Sequence, residues 1–266
     1  MTNHAIRWSV GGALLGGLLG LGMFAPATWL AQALASSSNG HLLITDARGS
    51  VWRGSGVLVL TGGVGSRDAS ALPGRVRWVV GIKGLGLLIK AQQDCCINGE
   101  LQALLKPGFS RSELSLAGAD DWLLRWPAAW LAGLGTPWNT LQLGGSLRIS
   151  ARDFRLESVQ GRWRQTEKSG QMDLALNQLS SRVSTVEPLG SYRLSISTDP
   201  ASAGVSLLKL STLDGALLLN GQGSWSAGKT RFSGEAAAAP GFEAALNNLL
   251  NIIGRRQGER SVISIG

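Results

Sequence analysis

A long segment without charged side chains, near the start of the chain, constrains the fold more than any other feature. No Asp, Glu, Lys or Arg lies between Trp8 and Thr45, and the part from Trp8 to Phe24 is almost wholly apolar. A helix needs about 20 mostly apolar residues to cross a bilayer, and inside lipid it must satisfy its own backbone hydrogen bonds. Continued through Ala25 towards Leu30, the segment reaches that length. The sequence therefore predicts a single transmembrane helix.

The charge beside this segment predicts the orientation of the chain. Positive residues next to a first span are retained in the cytoplasm, and Arg7 and the amino terminus precede the span. We therefore expect residues 1–7 in the cytoplasm, residues 8–34 as the anchor helix with its extension, and residues 35–266 as a periplasmic, β-rich domain. The predicted location is the inner membrane, crossed once.

Two features of this segment allow other interpretations. Ala33–Ala35 has the A-x-A form of a signal-peptide cleavage site, although the apolar run is long for a signal peptide. Gly12, Gly16 and Gly20 recur every four residues and line one helix face. Such spacing lets two membrane helices approach closely, or it reflects a Gly-rich anchor with no partner. A cleaved and a retained segment both leave the rest of the chain outside the cytoplasm.

The composition of the chain favours short strands and excludes some partners. There are 37 Gly and only 16% charged residues, which favours strands joined by turns over a charged helical bundle. The net charge is +8, but the basic residues are scattered and no nucleic-acid-binding module is recognisable. Nucleic acid is therefore not an expected partner. Anionic lipid headgroups, acidic proteins and plain solvent all suit this charge.

Alternating runs predict the structure of the body. Residues 75–79 alternate Arg with apolar side chains, residues 172–176 read MDLAL, and residues 217–225 place Gly between apolar positions. Short runs separated by frequent turns are typical of an antiparallel meander. Strands do not alternate with long helices, so a parallel α/β sheet is disfavoured. We expect a mainly β body.

One helix is predicted inside the body. Pro127 argues against a helix that continues through it, but proline suits a first helical turn. Gly135 suits a helix end. The pattern predicts a short helix from about Trp126 to Leu134, whose tryptophans pack in the core.

A second helix is predicted near the carboxyl end. Its apolar positions fall on one face, which would cover the sheet: Phe242, Leu246, Leu249 and Ile253. Gly254 is a suitable stop, and Arg255 and Arg256 lie beside the negative end of the helix. Residues 261–265 then alternate and predict a final edge strand.

Few residues of the chain suit catalysis. The two histidines, His4 and His41, have no Cys or carboxylate at metal-ligand spacing, and no nucleophile elbow surrounds a Ser. The two G-x-G motifs lie between predicted strands, not before helices, so dinucleotide binding is not expected. We predict no catalytic residue, no metal, no cofactor and no small-molecule substrate.

The two cysteines, Cys95 and Cys96, are adjacent, which excludes the usual zinc spacings. In an oxidising compartment they would form a strained vicinal disulfide, pair with another chain, or stay buried as small apolar residues. We favour a structural role over a reactive one.

Six segments, taken in order, resemble a known family. They are Pro26–Leu30, Ala47–Gly54, Leu72–Gly74 with Trp78, Gly133–Trp138, Pro188–Gly190 with Tyr192, and Leu249–Arg256. Their order and spacing over nearly the whole chain are similar to protein N of the type II secretion system. The following positions carry the family motif and are candidates for an interface: Gly49, Trp52, Gly54, Pro73, Gly74, Trp78, Pro137, Trp138, Gly254, Arg255 and Arg256.

The resemblance implies an inner-membrane subunit that faces the periplasm and supports the export of folded proteins across the outer membrane. It implies partners among the other secretion subunits and no catalytic residues. The family also looks similar to envelope proteins of the AsmA kind, which implies an extended, curved antiparallel sheet. Two alternatives stay open: an envelope protein that handles lipids in an apolar groove, and a periplasmic enzyme with a polar pocket near His41.

Overall fold

Two antiparallel sheets of nine strands each form the body of the protein, as far as its residues are described. The computed structural model describes residues 22–118, 121–226 and 229–266, together with Gly12, Gly16 and Gly20. The prediction of a mainly β protein with few helices is confirmed. The expectation of one continuous sheet is corrected, since the strands divide into two sheets.

The first sheet contains most of the strands from the amino-terminal half. Its spatial order is β1 (Leu42–Gly49), β2 (Arg53–Thr61), β4 (Val76–Lys83), β5 (Gly86–Gln92), β6 (Leu101–Lys106), β7 (Arg111–Leu116), β10 (Arg155–Val159) and β11 (Arg162–Gln165), with β3 (Ala69–Ala71) also paired to β2.

The second sheet contains the remaining strands. Its order is β17 (Arg255–Gln257), β18 (Arg260–Ile265), β16 (Lys229–Ala238), β15 (Leu217–Ser226), β14 (Ser206–Gly215), β13 (Gly190–Thr198), β12 (Met172–Ser181), β9 (Leu143–Ala151) and β8 (Leu124–Pro127). The chain passes from the first sheet to the second at β8, returns at β10, and crosses again at β12. The two sheets are therefore interleaved along the sequence.

Each sheet has one apolar and one polar face. The faces are identified from the strand pairing, since residues directly opposite each other on paired strands share a face. In the first sheet, Val80 pairs with Ile89, and Ile89 pairs with Ala103. The opposite face carries Lys90, which pairs with Val79 and Gln102. The alternation of apolar and polar residues that predicted the strands therefore corresponds to the two faces of the sheet.

Helices cover part of these faces. Helix α1 (Ala27–Ser37) lies beside β1, a 3-10 helix (Ala128–Leu134) contacts β2, β3 and β9, and the short α2 (Trp138–Leu141) follows it. Helix α3 (Glu243–Ile253) buries Leu246, Leu249 and Leu250. These three leucines join the largest hydrophobic cluster, which includes Leu217 and Ala236 of the second sheet. The predicted carboxyl-terminal helix and its apolar face are confirmed, although Phe242 is 41% exposed.

The predicted transmembrane segment lies mostly outside the described residues. Among the residues that are described, no helix has both the length and the apolar character needed to span a membrane. The expected continuation of one helix through Ala25 to Leu30 is corrected. Phe24 is in a turn, Pro26 is extended, and α1 begins only at Ala27, because proline starts a helix readily but interrupts one that runs through it.

The internal helix is shorter than predicted. Trp126 belongs to strand β8, and the 3-10 helix starts at Ala128 and ends at Leu134, with Gly135 as its C-terminal cap. The reason is local, since a residue that precedes proline is disfavoured in the helical region. Trp126 and Trp130 nevertheless pack together, with ring centroids 4.9 Å apart.

At the carboxyl end one prediction is confirmed and one is corrected. Helix α3 stops at Gly254 as predicted, since it ends at Ile253 and Gly254 follows as its cap, in an extended conformation with φ −168°. Arg255 and Arg256 continue directly into β17. The last strand, β18, is not an outermost strand along its whole length, because β17 pairs with its first three residues.

Candidate functional site at the first hairpin

The motif residues of the first sheet surround the turn that joins β1 to β2. Gly49 and Gly54 face each other across this hairpin. Gly49 has φ +86°, and a Cβ at this position would lie 2.5 Å from the Arg53 carbonyl oxygen. Glycine adopts positive φ without steric cost, so the tight turn requires it here.

Gly54 gives room to a buried tryptophan on the next strand. Gly54 pairs with Trp78 of β4, and a Cβ on Gly54 would lie 2.5 Å from the Trp78 ring. The indole N–H of Trp78 donates to the carbonyl oxygens of Val51, at 3.1 Å, and Ser50, at 3.3 Å. Trp78 is 5% exposed, so the turn rests on a buried and hydrogen-bonded ring.

The same turn holds the segment that leads out of the amino-terminal helical residues. The Trp52 indole N–H donates to the Gly22 carbonyl oxygen at 2.6 Å. The Val51 backbone N–H donates to the Ala25 carbonyl oxygen at 2.9 Å, and Pro26 forms a bridge with Ser50. We call residues 49–54 with the attached residues 22–26 the junction clamp. Trp52 is half-buried, so the buried ring at this turn is Trp78 and not Trp52.

An acidic residue of β1 pairs with the arginine that precedes β4. Asp46 lies at a bulge in β1 with φ +48°, and its carboxylate pairs with Arg75 and with Arg48. Arg75 also donates to the Asp46 carbonyl oxygen at 2.6 Å. The hydrogen bond from Arg75, followed by that from Arg48, lowers the pKa of the Asp46 carboxyl. Sequence reasoning missed this pair because 29 residues separate its partners.

Pro73 and Gly74 form the turn before β4. Gly74 has φ +79°, and the Pro73 carbonyl oxygen accepts a hydrogen bond from the Gln93 side-chain amide at 2.9 Å. Cys95 and Cys96 are joined by a disulfide. The Cys95 sulfur lies 3.1 Å from the same Pro73 oxygen, while Cys96 is buried beside Leu72 and Trp130. The vicinal disulfide, one of the alternatives left open by the sequence, is therefore the observed state.

Pro137 and Trp138 follow the 3-10 helix. The helix is attached to the first sheet by the Trp130 indole N–H, which donates to the Ser70 carbonyl oxygen at 2.9 Å. Asn139 donates from its side chain to Asp68 at 3.2 Å. Trp138 begins α2 and is 36% exposed. This segment joins the two sheets.

The motif residues are thus distributed and do not meet in one pocket. Gly49, Trp52, Gly54 and Trp78 converge at the junction clamp. The turn at Pro73 and the segment at Pro137 lie elsewhere on the first sheet, and Gly254–Arg256 lies in the second. Gly12, Gly16 and Gly20 are helical, and a Cβ at each would meet nothing within 4 Å. Their role in helix pairing stays a prediction.

Two cavities are relevant to the alternative that the chain is an enzyme. One, of about 310 Å³, has polar walls, where buried Glu157 pairs with Arg164 at 2.7 Å and Arg111 at 3.4 Å. These ion pairs neutralise the carboxylate. The other, of about 470 Å³ near His41, is lined by Ser, Thr, Asn, Gly and apolar residues without a charged group. No group of three or more potential metal ligands occurs within the described part of the chain.

Comparison with known proteins gives one match. The family model for the type II secretion system (T2SS), protein N, matches residues 41–263. Neither a curated protein nor a solved structure matches the chain. The matched range includes the hairpin at Trp52, the turn at Pro73, Trp138 and the Gly254–Arg256 segment. Because the match covers most of the 266 residues, the chain belongs to the protein N family of the type II secretion system.

Proposed function

We propose that the chain is an inner-membrane-anchored periplasmic subunit of the type II secretion machinery, which supports export of folded proteins through contacts with other subunits. The family match over residues 41–263 is the observation that carries this proposal. The uncharged run from Trp8 towards Leu30 supports the anchor. The junction clamp supports its function, because it fixes the body against residues 22–26 of that run. A tethered body meets its partners at a high local concentration.

A partly open strand edge supports contact with a partner. β17 pairs only with residues 260–262 of β18, so among the described strands residues 263–265 pair on one side alone, with β16. Ile265 is 55% exposed at this edge. Unpaired backbone groups accept an added strand from another protein. We assign the edge formed by Ile263–Ile265 as a contact surface for another secretion subunit.

A deletion strain tests the role in secretion. Loss of the gene is expected to leave secretion substrates in the periplasm, and the wild-type chain is expected to restore export. Normal export by the deletion strain would contradict the proposal. The orientation is tested separately with a phosphatase reporter fused after Gly40, which is expected to be active in the periplasm; a cytoplasmic reporter would contradict the anchor topology.

The edge contact is tested by complementation with two lysine variants. Lysine at an exposed strand edge blocks pairing with another strand, so Ile265→Lys is expected to restore export poorly. Ile252→Lys is the matched control, since Ile252 is 43% exposed on α3. Both variants should be present at the wild-type level. Full export with Ile265→Lys would show that this edge is not used.

A second function is favoured by one specific observation, the open part of the apolar face of the first sheet. Val80, Ile89 and Leu105 lie on this face, are only half-buried, and belong to none of the hydrophobic clusters among the described residues. Such a face suits acyl chains, as expected of an AsmA-like lipid-handling protein. In the deletion strain, unaltered export together with altered envelope permeability would favour this second function.

A further inference from the structure

Three hairpin turns lie side by side at one end of the first sheet. The register pairs Lys83 with Gly86, Leu87 with Leu105, and Arg111 with Val159. Because these strands are antiparallel neighbours, the turns at residues 83–86, 107–110 and 160–161 share one end of the sheet. We call this end, with residues 82–86, 106–111 and 159–163, the tip rim.

The junction clamp lies at the same end. The Val80 N–H donates to the Trp52 carbonyl oxygen at 2.7 Å, which places the β1–β2 turn beside the last residues of β4. The Trp52 indole in turn holds the Gly22 carbonyl oxygen. The chain therefore enters the body at the end of the sheet that carries the tip rim.

The tips of these hairpins expose large apolar side chains to an unusual extent. Ile82, Leu85 and Phe109 are 80%, 96% and 115% exposed. Met23 and Phe24, in the segment held by the clamp, are 70% and 81% exposed. Side chains this exposed do not stabilise the fold, and a group of them marks a contact surface.

The charged residues within the three turn segments are all basic. Lys83, Lys106, Arg111 and Arg162 flank the three turns, and residues 82–86, 106–112 and 159–164 contain no Asp or Glu. The acidic partners at this end are Glu113, 3.7 Å from Lys106, and Glu157, 3.4 Å from Arg111. Lys83 and Arg162 have no ion-pair partner among the described residues, so the rim keeps an excess of positive charge.

We propose that the tip rim contacts an anionic phospholipid surface, with Ile82, Leu85 and Phe109 entering the interface and the basic side chains meeting the headgroups. Apolar side chains combined with basic ones are the pattern by which proteins lie on anionic membranes. The clamp brings the rim to the end of the body where the predicted anchor arrives. The contact thereby gives the body a second attachment to the membrane beside the predicted anchor.

The experiment uses the full chain in lipid nanodiscs with a fluorescent probe on Leu85→Cys. The matched control is a probe on Val64→Cys, because Val64 is 84% exposed but lies in the loop after β2, at the opposite end of the sheet. Both probes share the same tether, so a difference between them reports the rim alone. Brominated phosphatidylglycerol is expected to quench the probe at position 85 and to leave the probe at position 64 bright. Equal quenching at both positions, or none at position 85, would overturn the proposal.

Two further measurements separate the apolar and charged contributions. With a probe on Ser110→Cys, the combined Ile82→Ser, Leu85→Ser and Phe109→Ser substitutions are expected to abolish quenching, and their exposure means that the fold is retained. Discs of brominated phosphatidylcholine alone are expected to quench less than anionic discs. Unchanged quenching in the triple variant would overturn insertion of the tips, and equal quenching in both lipids would overturn the anionic preference. Neither readout depends on secretion, so the rim and the proposed function fail independently.

Discussion

Tyr192 is the single tyrosine of the chain, and its hydroxyl is part of the core. The residue is fully buried in the largest hydrophobic cluster, and the hydroxyl donates to the Leu217 carbonyl oxygen at 2.9 Å. Burial, followed by the nearby Asp214 charge, raises the pKa of Tyr192. The folded protein therefore keeps this proton at a pH where an unfolded chain releases it.

We expect Tyr192→Phe to lower the free energy of unfolding by about 1 kcal/mol at neutral pH, because one buried hydrogen bond is lost. Because the pKa of Tyr192 is raised in the folded state, the retained proton contributes fully to the stability of the wild type below the unfolded pKa of about 10. This contribution is lost as the pH rises further. The advantage of the wild type over Tyr192→Phe should therefore shrink in strong alkali. Ultraviolet titration checks this directly: tyrosinate should form only when circular dichroism shows unfolding. Tyrosinate in a native spectrum near pH 10 would contradict the prediction.

For single residues, the sequence predicted which positions matter better than it predicted what they do. The motif positions Gly49, Trp52 and Gly54 meet at one turn, between β1 and β2. The buried ring, however, is Trp78 from the next strand, and the bond from Trp52 to Gly22 spans 30 residues. Partners this distant leave no local pattern, so the junction clamp could not be derived from the sequence.

Among the elements, the β1–β2 hairpin depends on the absence of a side chain at Gly54. A Cβ on Gly54 would lie 2.5 Å from the Trp78 ring and 2.7 Å from the Arg48 carbonyl oxygen. We expect Gly54→Ala to lower the free energy of unfolding by about 1–3 kcal/mol through overpacking. It should also loosen the junction clamp, so that the Val51 amide, bonded to Ala25, exchanges with solvent faster.

Gly81→Ala is the matched control for this hairpin. Gly81 lies in the adjacent strand β4, has no positive φ, and a Cβ there meets nothing within 4 Å. Its substitution should leave stability and Val51 exchange near the wild-type values, as measured by chemical denaturation and hydrogen exchange. If Gly54→Ala behaved like Gly81→Ala, the close packing of Trp78 against the hairpin would not be a structural requirement.

Strands were the most predictable elements, because alternation reports which side chains face the core. Residues 172–176 and 217–225 lie in strands as expected. The boundaries that failed have local causes, such as the proline that keeps Trp126 extended. The division into two sheets had no such signal, since an alternating pattern gives the buried face of a strand and not its neighbours.

At the scale of the whole molecule, the order of the strands ties the two sheets together. β8 and β9 belong to the second sheet but precede β10 and β11 of the first. The 3-10 helix adds contacts to both sheets, through β2 and β3 on one side and β9 on the other. The body is therefore expected to unfold as one cooperative unit and not sheet by sheet.

Trp130 provides the test of this cooperativity. It is buried in the 3-10 helix, packs on Trp126, and donates to the Ser70 carbonyl oxygen of β3. Trp130→Ala should lower the free energy of unfolding by about 3–5 kcal/mol, the usual cost of deleting a buried aromatic ring. Hydrogen exchange and mass spectrometry across a denaturant series, on the full chain in detergent, should show peptides of both sheets losing protection at one lower midpoint. Trp163→Ala, on the exposed edge strand β11, should shift that midpoint little. If the second sheet kept wild-type protection from hydrogen exchange while the first sheet lost protection earlier, the interleaved strands would not couple the two sheets.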